Sequence, residues 1–163
     1  MIYTNLCQGE IFLDLPMKAF CLNGNNGKIK LTIDEVFGFP DNTSMEGGYD
    51  FIGHLDIYVG CYEVHCVKFC SSTGVLYRLL AGLQLIYQTL EGTAEYRHLY
   101  ENDFQFIVKM THFGHANITG SFHEFPHLSN VFIFEMETDQ TCIEKAMNDL
   151  KAVERAFCDA MEK

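Results

Sequence analysis

Histidine is the residue type that most readily suggests chemistry in this chain, and four of its seven histidines fall close together. His112 and His115 precede a stretch that alternates apolar and polar residues, and His123 and His127 follow it. If His115 and His123 share one straight strand, they lie ~26 Å apart at ~3.3 Å per residue. A zinc ion holds each histidine nitrogen at ~2.1 Å, so one ion cannot bridge them, and each remaining pair alone is a weak site. The spacing predicts no metal site.

The seven cysteines are an odd number without a framework spacing. Only Cys61, Cys66 and Cys70 lie close together, and none of their spacings is Cys-x-x-Cys. On one strand Cys66 and Cys70 would be ~13 Å apart, too far for a disulfide or a shared ion, and Cys61 would face the other side. The cysteines are therefore predicted to be reduced thiols that pack as small apolar groups, as in a cytosolic protein.

The sequence lacks the common sequence motifs of catalytic sites. It contains no Gly-x-Ser-x-Gly and no His-Glu-x-x-His, and His65 and Cys66, as neighbours on a strand, would face opposite sides. The glycine-rich run at 24–28 precedes a strand pattern and not a helix, so it predicts a hairpin turn and not a phosphate loop. The sequence predicts a protein that is not an enzyme and has no cofactor. The alternative is a dispersed His/Cys/Asp site in which His54, His65 or His123 approaches a nucleophile in a pocket.

Polar residues at alternate positions of several predicted strands suggest that the protein binds a partner. They could form one broad acidic face that docks a basic protein, with Tyr58 as aromatic anchor and the carboxylates as counter-charges. The alternative is an ordinary solvated sheet face. The predicted partner-binding residues are His54, Asp56, Tyr58, Asn117, Ser121, His123, Glu135 and Glu137, with Thr119 on the same face.

The charge balance agrees with a protein partner. Lys and Arg number 11 against 22 for Asp and Glu, a formal net charge of −11. Such a chain repels phosphate backbones, which argues against binding of nucleic acid. An acidic surface can simply keep a bacterial cytoplasmic protein soluble, or it can speed association with a basic partner. No run reaches the ~20 apolar residues that cross a bilayer, and residues 1–10 lack a secretory signal pattern, so the sequence predicts a cytoplasmic protein without membrane contact.

The hydrophobic pattern predicts a single α+β domain spanning residues 1–163. Two helices are expected at about 73–90, capped by Ser72 or Thr73, and at 139–161, capped by Asp139. Strands with period two are expected over 28–37, 51–59, 61–69, 93–100, 104–110, 115–123 and 131–137. Short connections predict an antiparallel, mostly meander sheet packed by the two helices in a two-layer sandwich.

Several short segments carry a resemblance to a known family. They are Phe20-Cys21-Leu22-Asn23-Gly24, the strands at 28–39 and 58–69, the leucine-rich helix after Ser72, Glu91-Gly92-Thr93-Ala94, Gly120-Ser121-Phe122, Phe132-Ile133-Phe134-Glu135 and Thr138-Asp139-Gln140-Thr141. From Tyr58 to Phe157 above all, the chain resembles the WapI-like immunity proteins, which are cytoplasmic partners of bacterial polymorphic, contact-dependent toxins. The resemblance implies a stoichiometric inhibitor of a cognate toxin domain, often a basic nuclease, with no catalytic residues to transfer. We expect a monomer or weak homodimer; a ligand-binding or scaffolding domain that self-associates is a further alternative.

Overall fold

The computed structural model describes residues 2–4 and 11–157, with side chains from residue 14 onward. Within these residues the strands are β1 (Ile2–Thr4), β2 (Ile11–Leu13), β3 (Met17–Asn23), β4 (Gly27–Val36), β5 (Asp50–Val59), β6 (Tyr62–Ser72), β7 (Thr93–Arg97), β8 (Phe104–Met110), β9 (His115–Phe122) and β10 (Phe132–Asp139). The helices are α1 (Thr73–Thr89) and α2 (Gln140–Ala156), and a 3₁₀ turn occupies His112–Gly114.

The strands form two antiparallel four-stranded sheets, which confirms the predicted α+β class. The first sheet has the order β3-β4-β5-β6 and the second the order β10-β9-β8-β7, so both are meanders; β1 and β2 pair separately. The sequence patterns did not reveal the division into two sheets, nor β3. The register of β3 shifts between Lys18 and Phe20, and the adjacent residues Ala19 and Phe20 are both buried. This bulge breaks the alternation by which strands are recognised.

The inner faces of the two sheets share one hydrophobic core. Phe20 of β3 contacts Phe106 of β8 with ring centroids 6.0 Å apart, and Phe69 of β6 contacts Phe104 of the same strand at 5.8 Å. Strand β8 therefore crosses beneath the first sheet from one edge strand to the other. Because the two inner faces meet in this core, the two outer faces point to opposite sides of the molecule.

Both predicted helices are confirmed over the described residues. The N-cap of α1 is Ser72, whose side chain accepts a hydrogen bond from the Val75 amide, and Leu90 ends the helix in the left-handed conformation at φ 57°. The N-cap of α2 is Asp139, whose carboxylate accepts a hydrogen bond from the Cys142 amide at 3.0 Å. The predicted end of α2 at residue 161 lies outside the described residues.

The helices contact edge strands as well as each other. Helix α2 lies along β3, where Asp149 accepts the Cys21 amide at 3.2 Å and pairs with Lys18 at 2.9 Å. Helix α1 lies along β7, close enough that a Cβ on Gly82 would be 3.0 Å from Ala94. In the part of the chain that the structure describes, neither helix is long and apolar enough to span a membrane.

Candidate partner-binding surface

A connected row of side chains lies on the outer face of the first sheet. Lys28 stands over the ring of Tyr58, 4.9 Å from its centroid, and Tyr58 meets His65 edge-on at 5.4 Å between ring centroids. The row follows from the ladder, which sets Lys28 opposite Tyr58 and Asp56 opposite His65. His65 Nδ1 lies 2.9 Å from Asp56 and its Nε2 lies 3.3 Å from Glu63. Both imidazole nitrogens therefore face carboxylates.

This arrangement favours a charged imidazole. Hydrogen bonds to Asp56 first and Glu63 second raise the pKa of His65 above its ordinary value of 6.5. Desolvation and the same two carboxylates raise the pKa of Tyr58, whose phenol stays protonated at neutral pH. Farther along the strand, His54 Nδ1 contacts the carboxylate of Asp34. The outer face of the first sheet thus presents mixed charge around one aromatic ring, chemistry suited to recognising a polar protein surface.

The outer face of the second sheet is different in character. The Asn117 side-chain amide donates to Glu135 at 3.1 Å, and the Gln105 amide lies 3.5 Å from the Ser121 hydroxyl. A shallow depression of about 470 Å³ opens between these strands. Two apolar residues that line it are exposed on this mostly polar face: Ile133 is 74% exposed and Ile107 is 43% exposed.

The predicted partner-binding residues do not form the single broad face that the sequence suggested. His54, Asp56 and Tyr58 lie on β5 of the first sheet. The outer face of the second sheet carries Asn117, Thr119, Ser121, Glu135 and Glu137. His123 lies just past the end of β9 and lines a third region, a groove beside β6. Period-two alternation identifies the outward side of each strand, but it cannot tell which strands share a sheet, and this is why the surface was predicted as one.

Among residues 14–157, the three histidines named in the enzyme alternative have no hydrogen bond to a serine or cysteine. His54 and His65 contact carboxylates, and His123 uses its backbone amide to bond the Asp103 carbonyl at 2.6 Å. The same described residues contain no group of three or more His, Cys, Asp or Glu that could hold a metal ion.

A buried polar chain connects the two sheets at the β6 end. The Ser71 hydroxyl lies 2.7 Å from the Tyr96 hydroxyl, which lies 3.4 Å from His98 Nε2, and His98 Nδ1 is 3.5 Å from Glu46. Burial raises the pKa of Tyr96 far above its ordinary value of 10.0, so its hydroxyl stays protonated. Only 7% of Ser71 is exposed, so this row of hydrogen-bonded side chains has little contact with solvent. Its role is to satisfy buried polar groups. Sequence reasoning missed His98 because nothing in its local pattern marks it as buried.

One exposed aromatic residue was also missed. Phe113, at the centre of the turn between β8 and β9, is 99% exposed and has φ 58°. A bulky residue in the left-handed region is strained, so the surrounding turn must hold Phe113 in this conformation. The adjacent Gly114, also at positive φ, was the available signal for this turn.

The structure thus presents three exposed regions: the outer face of each sheet and the groove beside β6. Comparison with known families is consistent with a binding protein. Residues 20–158 match the sequence model of the immunity protein WapI-like family. The chain belongs to that family. The match begins in β3 and extends past the end of α2, so this immunity-family region includes both four-stranded sheets and both helices. No curated protein and no solved structure matches the chain.

Proposed function

We propose that the chain protects a bacterial cell by binding a cognate toxin domain stoichiometrically and blocking it. The observation that carries this proposal is the family match over residues 20–158. The net charge of −11 supports a basic partner, and a nuclease domain is the toxin class whose substrate requires a cationic surface. The complex forms in the cytoplasm, without nucleic acid or cofactor, from a monomer or weak homodimer.

The mixed-charge row on the first sheet is the first docking site to test. Asp56, Tyr58 and His65 are preorganised by one another, so a partner would meet a fixed constellation at little cost in side-chain entropy. Glu135 and Glu137 on the opposite side provide a matched comparison, because they are also carboxylates on an outer sheet face.

The test of function is co-expression with the toxin domain encoded beside this chain. Growth should be restored, and calorimetry on the purified pair should give one molecule of each per complex. Association should slow as salt rises, since steering by surface charge is screened over ~8 Å at physiological ionic strength. Failure to bind or to protect against that domain would overturn the proposal.

Separate charge reversals decide which side of the molecule binds. We expect Asp56→Lys to weaken protection and slow association, and the double change Glu135→Lys with Glu137→Lys to have the smaller effect. The reverse order would place docking on the second sheet and remove the first-sheet site. Both variants should first be shown to be folded, because Asp56 is half-buried and pairs with His65, whereas Glu135 and Glu137 are exposed.

A further inference from the structure

The four edge strands of the two sheets differ in which other elements pack beside them. Edge strands expose unpaired backbone groups, and proteins usually cover them. Helix α2 packs beside β3 and helix α1 packs beside β7. Strand β10 is held at one end, where its Glu137 carbonyl accepts the Asn25 amide at 2.8 Å. Within residues 14–157 no helix or strand covers the outer edge of β6.

The ladder also shows which backbone groups of β6 point outward. In antiparallel sheets successive residues bond alternately to one neighbour and the other. Cys21 donates its amide to Asp149 of α2, so it points away from β4, and Lys30 opposite it bonds to Asp56 of β5. His65, opposite Asp56, therefore directs its N–H and C=O away from β5. Apart from the ladder with β5, the described residues contain no hydrogen bond to the backbone of 62–67.

A groove follows this edge. Its two parts, of about 600 and 570 Å³, share Cys66, Phe122 and Glu124 as lining residues. The wall opposite β6 comes from the segments 100–103 and 122–132, which are joined where the His123 amide bonds the Asp103 carbonyl. Exposed aromatic side chains stand near both parts of the groove. Tyr100 lines one part and is 71% exposed, and Tyr62, which is 64% exposed, contacts Phe132 of the other part with ring centroids 5.8 Å apart.

The charge that lines the groove is mostly negative. Its carboxylates are Glu63, Glu101, Asp103 and Glu124, against Lys68 and the imidazole of His65, whose two nitrogens already face carboxylates. Burial, with Glu101 nearby, raises the pKa of Asp103, and burial followed by neighbouring carboxylates raises the pKa of the Cys70 thiol. A cationic occupant would relieve this mutual repulsion. A second copy of the chain would bring the same carboxylates to the same edge, which argues against self-pairing.

We propose that an extended, lysine- or arginine-bearing segment of the toxin domain docks in this groove as an added strand on the edge of β6. The proposal rests on the proposed function and names the contact by which it is carried out. The register of β6 against β5 shifts between Cys66 and Phe69, so the regular edge is the stretch 62–66, ~17 Å long at ~3.3 Å per residue. Main-chain hydrogen bonds hold the segment, and the carboxylates select its charge.

Two variants at one position separate backbone from side chain. His65→Pro removes an outward N–H that the ladder with β5 does not use, a position where an edge strand tolerates proline. His65→Ala removes the same side chain and keeps the N–H. With the purified toxin domain in calorimetry, we expect His65→Pro to raise the Kd about tenfold or more beyond His65→Ala. Equal affinities for the two variants would overturn strand addition.

A pair of charge reversals tests the groove independently of the fold of β6. Glu101→Lys with Glu124→Lys should reduce the association rate about tenfold or more at low salt. The matched control, Glu135→Lys with Glu137→Lys on the opposite outer face, changes net charge equally and should have a clearly smaller effect. If the toxin domain binds wild type and the Glu101/Glu124 variant with the same rate and affinity, the groove is not the site although the function stands. If it binds neither, the proposed function itself fails. Dimerisation of wild type in sedimentation that His65→Pro abolishes would assign the edge to a second copy and overturn the proposal.

Discussion

Glu46, in the loop between β4 and β5, contacts Arg78 of helix α1 and the segment that follows β7. Replacing Glu46 with glutamine tests how much these contacts stabilise the protein. Its two carboxylate oxygens accept the Leu99 amide at 3.0 and 3.1 Å, and Arg78 donates to it at 2.9 Å. His98 lies 3.5 Å from the same carboxylate. Because Leu99 begins the segment that carries Tyr100 and Glu101, the charge of Glu46 helps to position one wall of the groove.

The cost of Glu46→Gln can be worked from these contacts. A hydrogen bond to a charged group contributes about 1.5–3 kcal/mol and a neutral one about 0.5–1.5, and glutamine keeps one acceptor oxygen for Leu99. The side chain of Arg78 is 43% exposed, so its pair is reduced by solvent to about 0.2–1 kcal/mol. The sum is a loss of about 1–3 kcal/mol, and for a chain of this length each kcal/mol lowers the Tm by about 2–4 °C.

The loss should depend on pH. Burial acts to raise the pKa of Glu46, but the Leu99 amide, His98 and Arg78 together outweigh it and hold the pKa below the ordinary value of 4.5. The stabilisation is therefore fully present above that value and disappears as the pH falls through the lower, folded-state pKa. Urea unfolding at pH 7 and at steps below pH 4.5 should show the wild type and Glu46→Gln converging. Glu144→Gln, an exposed glutamate on α2, is the control and should follow wild type throughout. A difference that persists unchanged in acid would refute the electrostatic account.

Three further changes have definite expectations. Gly53→Ala would place a Cβ 1.9 Å from the Thr32 carbonyl oxygen and should reduce stability by about 3 kcal/mol or more. Gly60→Ala has open space around the new Cβ but φ +60°, and should reduce stability by about 1–2 kcal/mol. Chemical denaturation compares the two variants, and equal losses would contradict the steric argument. Asp139→Ala should lose about 0.5–2 kcal/mol with the cap of α2 and Asp139→Asn much less, so similar unfolding midpoints for the two would deny the cap a role. Phe113→Asn should stabilise the protein by about 0.5–1 kcal/mol by easing the left-handed conformation, as measured by thermal unfolding, and an unchanged or lowered Tm would mean that the exposed ring is not strained there.

The local elements were predictable because each rests on a local signal. Asp139 followed by an apolar stripe at helical spacing marks the start of α2, and the alternation from Phe104 to Met110 gives β8 with its buried face. The partition into two sheets depends on contacts such as Phe20 with Phe106, which join residues far apart in sequence. No periodicity encodes that pairing. The same limit applies to the candidate site, where the outward direction of Asp56 and Glu135 was predictable and their separation on opposite sides was not.

The groove was beyond sequence reasoning for a different reason. Its distinguishing feature is an uncovered edge, and whether an edge is covered depends on where other elements pack. Asp149, on the polar part of α2 in the sequence, covers the Cys21 amide of β3, which only the folded chain reveals. In the described residues no helix or strand packs along the outer edge of β6, as α2 does beside β3 and α1 beside β7.

The acidic residues fall into two groups, and the division bears on how a partner would be recognised. Asp56, Glu63 and Asp149 have recorded ion-pair partners within the described chain, so part of their field is already neutralised. Glu101 and Glu124 have no recorded ion pair among the described residues, although both line the groove. Unpaired charge contributes most to long-range steering, whereas desolvated and prearranged groups contribute to the lifetime of a complex. Glu101 and Glu124 should therefore govern the rate of association, while the exposed backbone of β6 governs the rate of dissociation.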